Sequence, residues 1–284
     1  MSSSNAQSRF LGAFGAVGAY LIDRTQFAGY ALVLAYRSAR WIPVPSEMWK
    51  RRGFIIRQMH SAGIESLPVT LIVAIFIGFL LSLSAGVELK RYGQQAIVGQ
   101  LVAVSVVREF GPFMTGLILA ANVGSSMAAE LGTMKVSEEI DALEVMSIDP
   151  ARFLVLPRLV AMMVMTPLLT VFSDIVAIIG GGIIAMTQLG VGWPKYYQNV
   201  LEGLAADNAG FPFYEGKHIY TGLLKALVFG ITIAVVSCSE GLRTTGGAVG
   251  VGRATRRSVI LCYLLVLVFG YFGTSLFYGK SGNF

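Results

Sequence analysis

The sequence predicts an all-α integral membrane protein with about five transmembrane helices. Hydrophobic residues make up 55% of the 284-residue chain and charged residues 13%, and the mean hydropathy is +0.67. A soluble domain carries about 25% charged residues. The apolar residues also fall into tracts that can cross a bilayer, which takes about 20 residues in a helix. A chain of this length fits one helical bundle rather than several domains.

Five apolar tracts predict the spans. The first and last are the clearest, because Ser66–Val87 and Ser258–Gly279 hold no charged residue. The second tract is too long for one ordinary span, so we expect a short outer connection and then a long helix that Pro112 kinks. Six spans are the alternative, because Gly180-Gly-Gly182 is flexible enough to break the third tract. The predicted spans are 67–87, 97–130, 159–190, 219–239 and 258–279.

Lysine and arginine counts predict the orientation. With the N-terminus in the cytosol, fifteen of these residues flank the spans on the cytosolic side and five on the outer side. Positively charged flanks of membrane spans stay in the cytosol. Because the basic residues lie at the ends of the apolar tracts, we attribute the pI of 9.4 to orientation signals and not to nucleic-acid binding. The only sizeable outer loop, 195–217, carries no motif.

The N-terminal segment 1–66 is predicted to lie in the cytosol and at the membrane surface. Trp41, Trp49 and the Lys50-Arg-Arg52 cluster suit an interfacial amphipathic helix. A poorly ordered tail is the alternative. We expect no cleaved signal peptide, because no basic segment precedes a short apolar core. The start is not transit-like either, which favours a bacterial inner membrane over a plastid.

An acidic segment lies between the second and third spans. It holds one lysine and six carboxylates, namely Glu130, Glu138, Glu139, Asp141, Glu144 and Asp149. A helix over 133–149 is expected, and Pro150 should stop it. Its predicted apolar face comprises Val136, Ile140, Leu143 and Met146, while Glu138, Asp141 and Glu144 lie opposite and Glu139 interrupts the stripe. Anionic cytoplasmic lipids would repel this surface. The segment therefore predicts docking of a soluble partner, with a solvated face on the headgroups as the alternative.

Four charged residues interrupt the apolar tracts, and one of them, Lys225, lies near the start of the fourth tract. Arg108 and Glu109 are costly inside a bilayer and are usually functional or paired there. Since neighbours in a helix point about 100° apart, we expect these two not to pair with each other. Snorkelling at an interface is the alternative. Asp174 fits a buried polar contact and a helix break equally well.

Small residues recur every fourth position in the second tract, at Gly116, Ala120, Gly124 and Ala128. Such rows let helix backbones approach closely. Packing within one subunit is the favoured interpretation, and a dimer seam or a lipid-groove wall is the alternative. The two cysteines, Cys238 and Cys262, have no CxxC partner, so buried free thiols are expected.

A glycine-rich loop, Gly246–Gly252, precedes the last span with four arginines around it. The loop lacks a preceding strand, and no GxxxxGK[ST] motif occurs in the chain, so we expect neither ATP hydrolysis nor a bound cofactor. The arginines are predicted to bind anionic headgroups or to complete a contact with a partner. They are Arg243, Arg253, Arg256 and Arg257.

Several blocks in order resemble the MlaE/YrbE permease family, which supplies the membrane subunit of MCE-associated ABC transporters. The resemblance covers about residues 95–284. The blocks are Val107-Arg-Glu-Phe-Gly-Pro112, Ala121-Asn-Val-Gly-Ser-Ser-Met-Ala-Ala-Glu-Leu-Gly132, Glu138-Glu-Ile-Asp-Ala-Leu-Glu-Val-Met-Ser-Ile-Asp-Pro150, Leu156-Pro-Arg158 and Glu240–Arg257.

The resemblance implies a homodimer, two copies of a cytosolic ATPase that hydrolyses ATP, and periplasmic MCE-domain proteins that relay phospholipids and so maintain outer-membrane lipid asymmetry. It also implies that the acidic segment is the coupling helix. Arg108, Glu109, Asn122 and Glu130 would then lie along the substrate pathway. A secondary transporter or channel using Arg108, Glu109 and Asp174 is the main alternative, although the chain shows no inverted repeat. An intramembrane lipid enzyme is a second, although no nucleophile, base or metal cluster stands out.

Overall fold

Helices account for all regular structure in the part of the protein that the computed structural model describes, residues 29–38, 40–41, 52–205 and 217–278. Five helices in these ranges are long and apolar enough to cross a membrane. The first to fifth spans are Arg52–Arg91, Gln95–Val136, Ala151–Gln188, Lys217–Leu242 and Gly247–Tyr278. The predicted fold class, an all-α membrane protein with five spans, is confirmed.

Several spans are built from shorter helices joined by turns of different width. The α-helices are α1 (29–38), α2 (Arg52–Met59), α3 (Leu67–Arg91), α4 (Val98–Ser105), α5 (Gly111–Leu119), α6 (Ser125–Val136), α7 (Glu139–Val145), α8 (Leu156–Gln188), α9 (Trp193–Ala205), α10 (Lys217–Leu242) and α11 (Gly247–Tyr278). A 3₁₀ turn covers Gln95–Ile97, and π-helical turns cover His60–Ile64, Val106–Phe110, Ala120–Gly124 and Ala151–Val155. The observed spans extend beyond the apolar tracts, because polar flanking residues continue the helices past the hydrocarbon layer.

The second and third spans make most of the contacts between spans. The third span packs along the first span and against the fourth, while the second span touches the other four. Gly78 in the first span has no room for a side chain, because a Cβ atom there would collide with the Ala177 carbonyl. The glycines at 180–182 do not break α8. They face the first span, the second span and α9, where a side chain would clash.

The small residues of the second span pack inside the subunit, as favoured from the sequence. Ala120 and Ala128 are fully buried, and a Cβ at Gly116 or Gly124 would meet side chains of the fourth span. Close approach of two backbones is the usual role of such rows. The two cysteines are buried and free, as predicted.

The acidic segment folds differently from the predicted helix over 133–149. The second span continues to Val136, the backbone of Glu138 turns into the left-handed region (φ 59°), and α7 covers only seven residues. The helix α7 ends at a C-terminal capping motif rather than at Pro150. Ser147 also has φ 59°, its N–H bonds the Glu144 carbonyl, and the Ile148 N–H reaches back to the Leu143 carbonyl, both at 2.9 Å. These bonds satisfy carbonyls at the end of α7.

Only part of the predicted N-terminal surface segment is described. Leu34 of α1 is buried in a cluster with Leu131, Ile140 and Leu242, so α1 packs against α7 and against the ends of two spans. The Trp41 ring lies under the Arg152 guanidinium, 4.3 Å from it. The predictions for 1–28 and for the Trp49–Arg51 stretch fall outside the described residues.

Part of the outer loop 195–217 is the helix α9, which packs on α4. Tyr196 anchors it, because the phenol is buried and donates a hydrogen bond of 2.9 Å to the Ile178 carbonyl. Burial raises the pKa of Tyr196 above its usual value, since the phenolate would lose its hydration. Residues 206–216 lie outside the described part.

Candidate functional site

A cluster of charged side chains joins the second, fourth and fifth spans within the bundle. The Lys225 ammonium lies 2.9 Å from Glu109 Oε1, 3.1 Å from the Arg108 carbonyl oxygen and 2.7 Å from Thr274 Oγ1. Its three donors therefore have three acceptors, and only 3% of the side chain is exposed. Thr274 Oγ1 also contacts Glu109 Oε1 at 2.9 Å. A buried lysine requires this kind of complete pairing.

Arg108 and Glu109 pair with each other, so the prediction that they would not is wrong. Arg108 Nε lies 3.5 Å from Glu109 Oε1. The physical reason is local. Both residues lie in the π-helical turn Val106–Phe110, which is wider than an α turn, and their side chains are long enough to bend together. The Arg108 guanidinium also stacks on the Tyr278 ring, 4.1 Å from its centre.

The Tyr278 ring links this cluster to the start of the fourth span. Its hydroxyl lies 2.9 Å from His218 Nδ1 and 3.1 Å from Thr221 Oγ1, and the Lys217 ammonium lies 5.0 Å from its centre. Cations over aromatic faces are favourable when partly desolvated. Among the described residues, this cluster holds more positive than negative groups, and it lies at the end of the bundle opposite the acidic segment.

An apolar cavity of about 210 Å³ opens beside the charged cluster. Glu109 and Lys225 form its polar end. The remaining lining is Phe110, Phe113, Phe229, Leu267, Gly270 and Tyr271. Mostly apolar walls with a few convergent polar groups are typical of binding sites for small molecules, and here the polar groups lie at one end. The shape suits an amphiphile.

Asn122, Glu130 and Asp174 have contacts of their own and take no part in the hydrogen bonds and ion pairs of this cluster among the described residues. Asn122 lies in the π-helical turn Ala120–Gly124, and its amide donates to Ser66 Oγ at 3.0 Å. Glu130 forms an ion pair of 2.8 Å with the buried Arg158. Asp174 is buried against Gly111, and its Oδ1 has no hydrogen-bond partner. In the described residues no ion pair connects Asp174 to Arg108 or Glu109.

Half of the carboxylates in the acidic segment have internal roles. Glu130 pairs with Arg158, Asp141 forms an ion pair with Lys135, and Asp149 accepts the Ala151 N–H at 3.0 Å near the start of the third span. The other three carboxylates, Glu138, Glu139 and Glu144, are exposed, with no ion pair to any residue within the described ranges.

The short helix α7 has one inward side and one outward side. Ile140 is 3% exposed and packs against both flanking spans and the fourth, with Leu143 beside it. Met146 does not share that side, contrary to prediction, because α7 ends at Val145 and the chain turns outward. Val145 and Met146 are exposed. The outward side therefore combines apolar side chains with carboxylates, as protein-binding surfaces often do.

Three of the four predicted arginines converge on one cavity. Arg243, Arg253 and Arg257 line a cavity of about 180 Å³ between the ends of the fourth and fifth spans. Arg256 is exposed and does not line it.

Sequence reasoning missed the partners that complete these clusters. Lys225 interrupts an apolar tract, and a lone charge there could have been matched to Glu109. Arg158 follows the acidic segment and could have been matched to Glu130. Thr274 and Tyr278 gave no signal, because threonine and tyrosine are ordinary near span ends.

Comparison with known proteins identifies the family. A family model described as permease MlaE matches residues 55–276. The chain belongs to the MlaE permease family. Among relatives, a probable ABC transporter permease protein of Rickettsia prowazekii is 36% identical over 226 residues, covering 80% of this chain and 83% of that protein. The intermembrane phospholipid transport system permease protein MlaE of Haemophilus influenzae is 29% identical over 266 residues, covering 94% and 97%.

A plant protein is also among the relatives of this chain. The chloroplastic protein TRIGALACTOSYLDIACYLGLYCEROL 1 of Arabidopsis thaliana is 32% identical over 228 residues, covering 80% of this chain and 62% of that protein. The resemblance stated from the sequence blocks is confirmed, and the chain is a multi-pass membrane permease of the MlaE family.

Proposed function

We propose that this permease moves phospholipids or related lipids between the bacterial inner membrane and a periplasmic relay of MCE-domain proteins, and so maintains outer-membrane lipid asymmetry. The observation that carries the proposal is the apolar cavity with Glu109 and Lys225 at one end. A lipid presents the same division, with apolar chains and a charged headgroup. The name of the Haemophilus influenzae relative, a phospholipid transport permease, supports the same substrate class.

Within the cluster, Arg108 is the group best suited to a headgroup phosphate. The Lys225 donors are already used by three protein acceptors, whereas the Arg108 side chain is 32% exposed. A guanidinium can also bind a phosphate through two parallel hydrogen bonds. Glu109, which lines the cavity, would then hold the Arg108 guanidinium in position beside it.

The energy source in this proposal is a separate cytosolic ATPase, two copies of which bind a homodimer of this chain. The exposed carboxylates and apolar residues of α7 would contact the ATPase, with the N-terminus in the cytosol. Ile140 packs against the second, third and fourth spans, so a push on α7 acts on three spans together. Closing of the ATPase dimer would tilt the second span and collapse the cavity.

In this proposal the movement takes place at the π-helical turns of the second span. One turn carries Arg108 and Glu109, and the other carries Asn122. Such turns often mark functional positions in helices. A change in one of them would shift the charged cluster relative to the fourth and fifth spans.

The docking part is tested with Glu139→Lys combined with Glu144→Lys in the purified complex. Like charges set against each other at an interface cost several kcal/mol, so we expect the ATPase to be lost during purification. Glu88→Lys with Glu202→Lys is the matched control, because both are exposed carboxylates at the opposite end. The docking role is wrong if the first variant keeps its ATPase and its lipid-stimulated ATP turnover.

The cavity part is tested with Gly270→Leu in the same complex. A Cβ at Gly270 would lie 3.5 Å from the Phe229 ring, which is ordinary contact, so the helix accepts the change while the cavity fills. We expect the ATPase to stay bound and lipid-stimulated turnover to fall. Unchanged stimulation would show that lipid does not use this cavity.

A further inference from the structure

A second cavity lies at the other end of the bundle. It is far along the spans from the apolar cavity beside Glu109 and Lys225, which is called the transport cavity below. Its volume is about 180 Å³. The lining residues are Glu240, Arg243, Thr244, Thr245, Gly250, Arg253, Ala254 and Arg257. The cavity thus sits where the fourth span ends and the fifth begins, on the side of the acidic segment.

The turn between the two spans shapes this cavity. Gly246 and Gly247 have φ values of 88° and 66°, which side chains rarely adopt, and they reverse the chain within a few residues. Gly250 lies against the Thr245 carbonyl with no room for a Cβ. The fifth span therefore starts close to the end of the fourth. Arg253 and Arg257, four residues apart on one helix face, point to the same space.

Among the described residues that line this cavity, arginines outnumber acidic residues. Three guanidinium groups face one carboxylate, Glu240, and Arg253 and Arg257 are exposed. Like charges gathered around one cavity repel each other, and a bound anion removes that cost. Guanidinium forks match phosphate oxygens in particular. The start of α11 adds backbone N–H groups and a positive dipole end beside them.

We propose that this cavity is a phosphate-binding site, formed by Arg243, Arg253 and Arg257 and separate from the transport cavity. The positive flanks around it indicate the cytosolic membrane surface, where anionic phospholipid headgroups supply phosphate. Soluble phosphate compounds carry the same group. The site would stabilise the turn between the fourth and fifth spans when a phosphate is bound.

The test is a binding titration of the full purified chain in detergent, in which bound ligand is measured by native mass spectrometry. The probes are phosphatidylglycerol, phosphatidylcholine and inorganic phosphate. Because charge-assisted hydrogen bonds are lost, Arg257→Gln and Arg253→Gln should each weaken phosphatidylglycerol binding by about tenfold. Arg256→Gln is the matched control, since it removes the same charge one position away but outside the cavity, and we expect less than about a twofold change.

Two further measurements separate this site from its alternatives. The titration is repeated with Gly270→Leu, which fills the transport cavity, and the effect of Arg257→Gln should persist there whether or not the proposed transport function holds. Arg257→Lys, which keeps the charge but not the fork, should bind with intermediate affinity and guards against a folding defect. Competition by inorganic phosphate would show that the phosphate group suffices, and binding of the lipid alone would point to the headgroup.

Three results would overturn the proposal. The first is a wild-type protein that shows no preference for phosphatidylglycerol over phosphatidylcholine and does not bind inorganic phosphate. The second is an equal loss of binding in Arg256→Gln and Arg257→Gln, which is the result expected of nonspecific surface attraction. The third is unchanged lipid binding of Arg257→Gln together with loss of ATPase co-purification, which would assign the arginines to that protein contact.

Discussion

Replacing Lys225 by methionine removes the positive charge of the buried cluster while keeping an unbranched apolar side chain. Glu109 would lose a partner at 2.9 Å, and the Arg108 carbonyl would lose its contact at 3.1 Å. Thr274 is less affected, because its hydroxyl also lies 3.0 Å from the Gly270 carbonyl, as a donor to it. The main cost is therefore the partly buried Glu109 carboxylate.

The magnitude follows from the unequal burial of the two partners. Removing one member of a fully buried ion pair costs about 3–5 kcal/mol, and an exposed pair contributes about 0.2–1 kcal/mol. Lys225 is almost fully buried, but 38% of the Glu109 side chain is exposed, so water recovers part of its solvation. We expect a loss of about 2–3 kcal/mol. At about 2–4 °C per kcal/mol, the unfolding midpoint should fall by about 4–12 °C.

The assay is thermal unfolding of the purified chain in one detergent at one scan rate, because membrane proteins often unfold irreversibly. Lys195→Met is the control, since Lys195 is exposed. A double-mutant cycle with Glu109→Gln isolates the pair, and the double variant should lose about 1–2 kcal/mol less than the sum of the singles. Additive losses, or an equal loss in the control, would refute the assignment of Lys225 as the partner of Glu109.

Two further predictions concern packing. Gly78→Ala should lower the unfolding midpoint, because the new methyl group collides with the Ala177 carbonyl and overpacking costs about 1–3 kcal/mol. Gly252→Ala should not lower the midpoint, since a Cβ there meets open space and alanine favours a helix over glycine by about 1 kcal/mol. Equal losses in both variants would contradict the close packing of Gly78 on the third span. Ile140→Ala should destabilise the chain by about 2–5 kcal/mol, whereas Val145→Ala, at a residue 86% exposed, should leave stability unchanged and weaken ATPase co-purification. A stable Ile140→Ala protein would mean that α7 is not anchored through this side chain.

The spans could be predicted because a bilayer imposes a simple length and polarity rule. The predicted tract Ser66–Val87 lies within the observed first span. The tract Ser258–Gly279 lies within the fifth span as far as Tyr278, where that span ends. The end of α7 could not be predicted from Pro150. Two non-glycine residues, Glu138 and Ser147, adopt left-handed backbone conformations there, which the sequence does not favour and the packing of Ile140 supports.

By itself, the sequence determined the class of protein, the five spans, the excess of positive flanks and the family, because each is written in composition or in contiguous blocks. Only the tertiary structure decided which charges meet. Lys225 reaches Glu109 across 116 positions, and Arg158 reaches Glu130 across 28. The tertiary structure also showed that half of the carboxylates in the acidic segment have contacts within the protein. Pairing depends on helix packing and on local π-helical turns, and neither is encoded in a short stretch of residues.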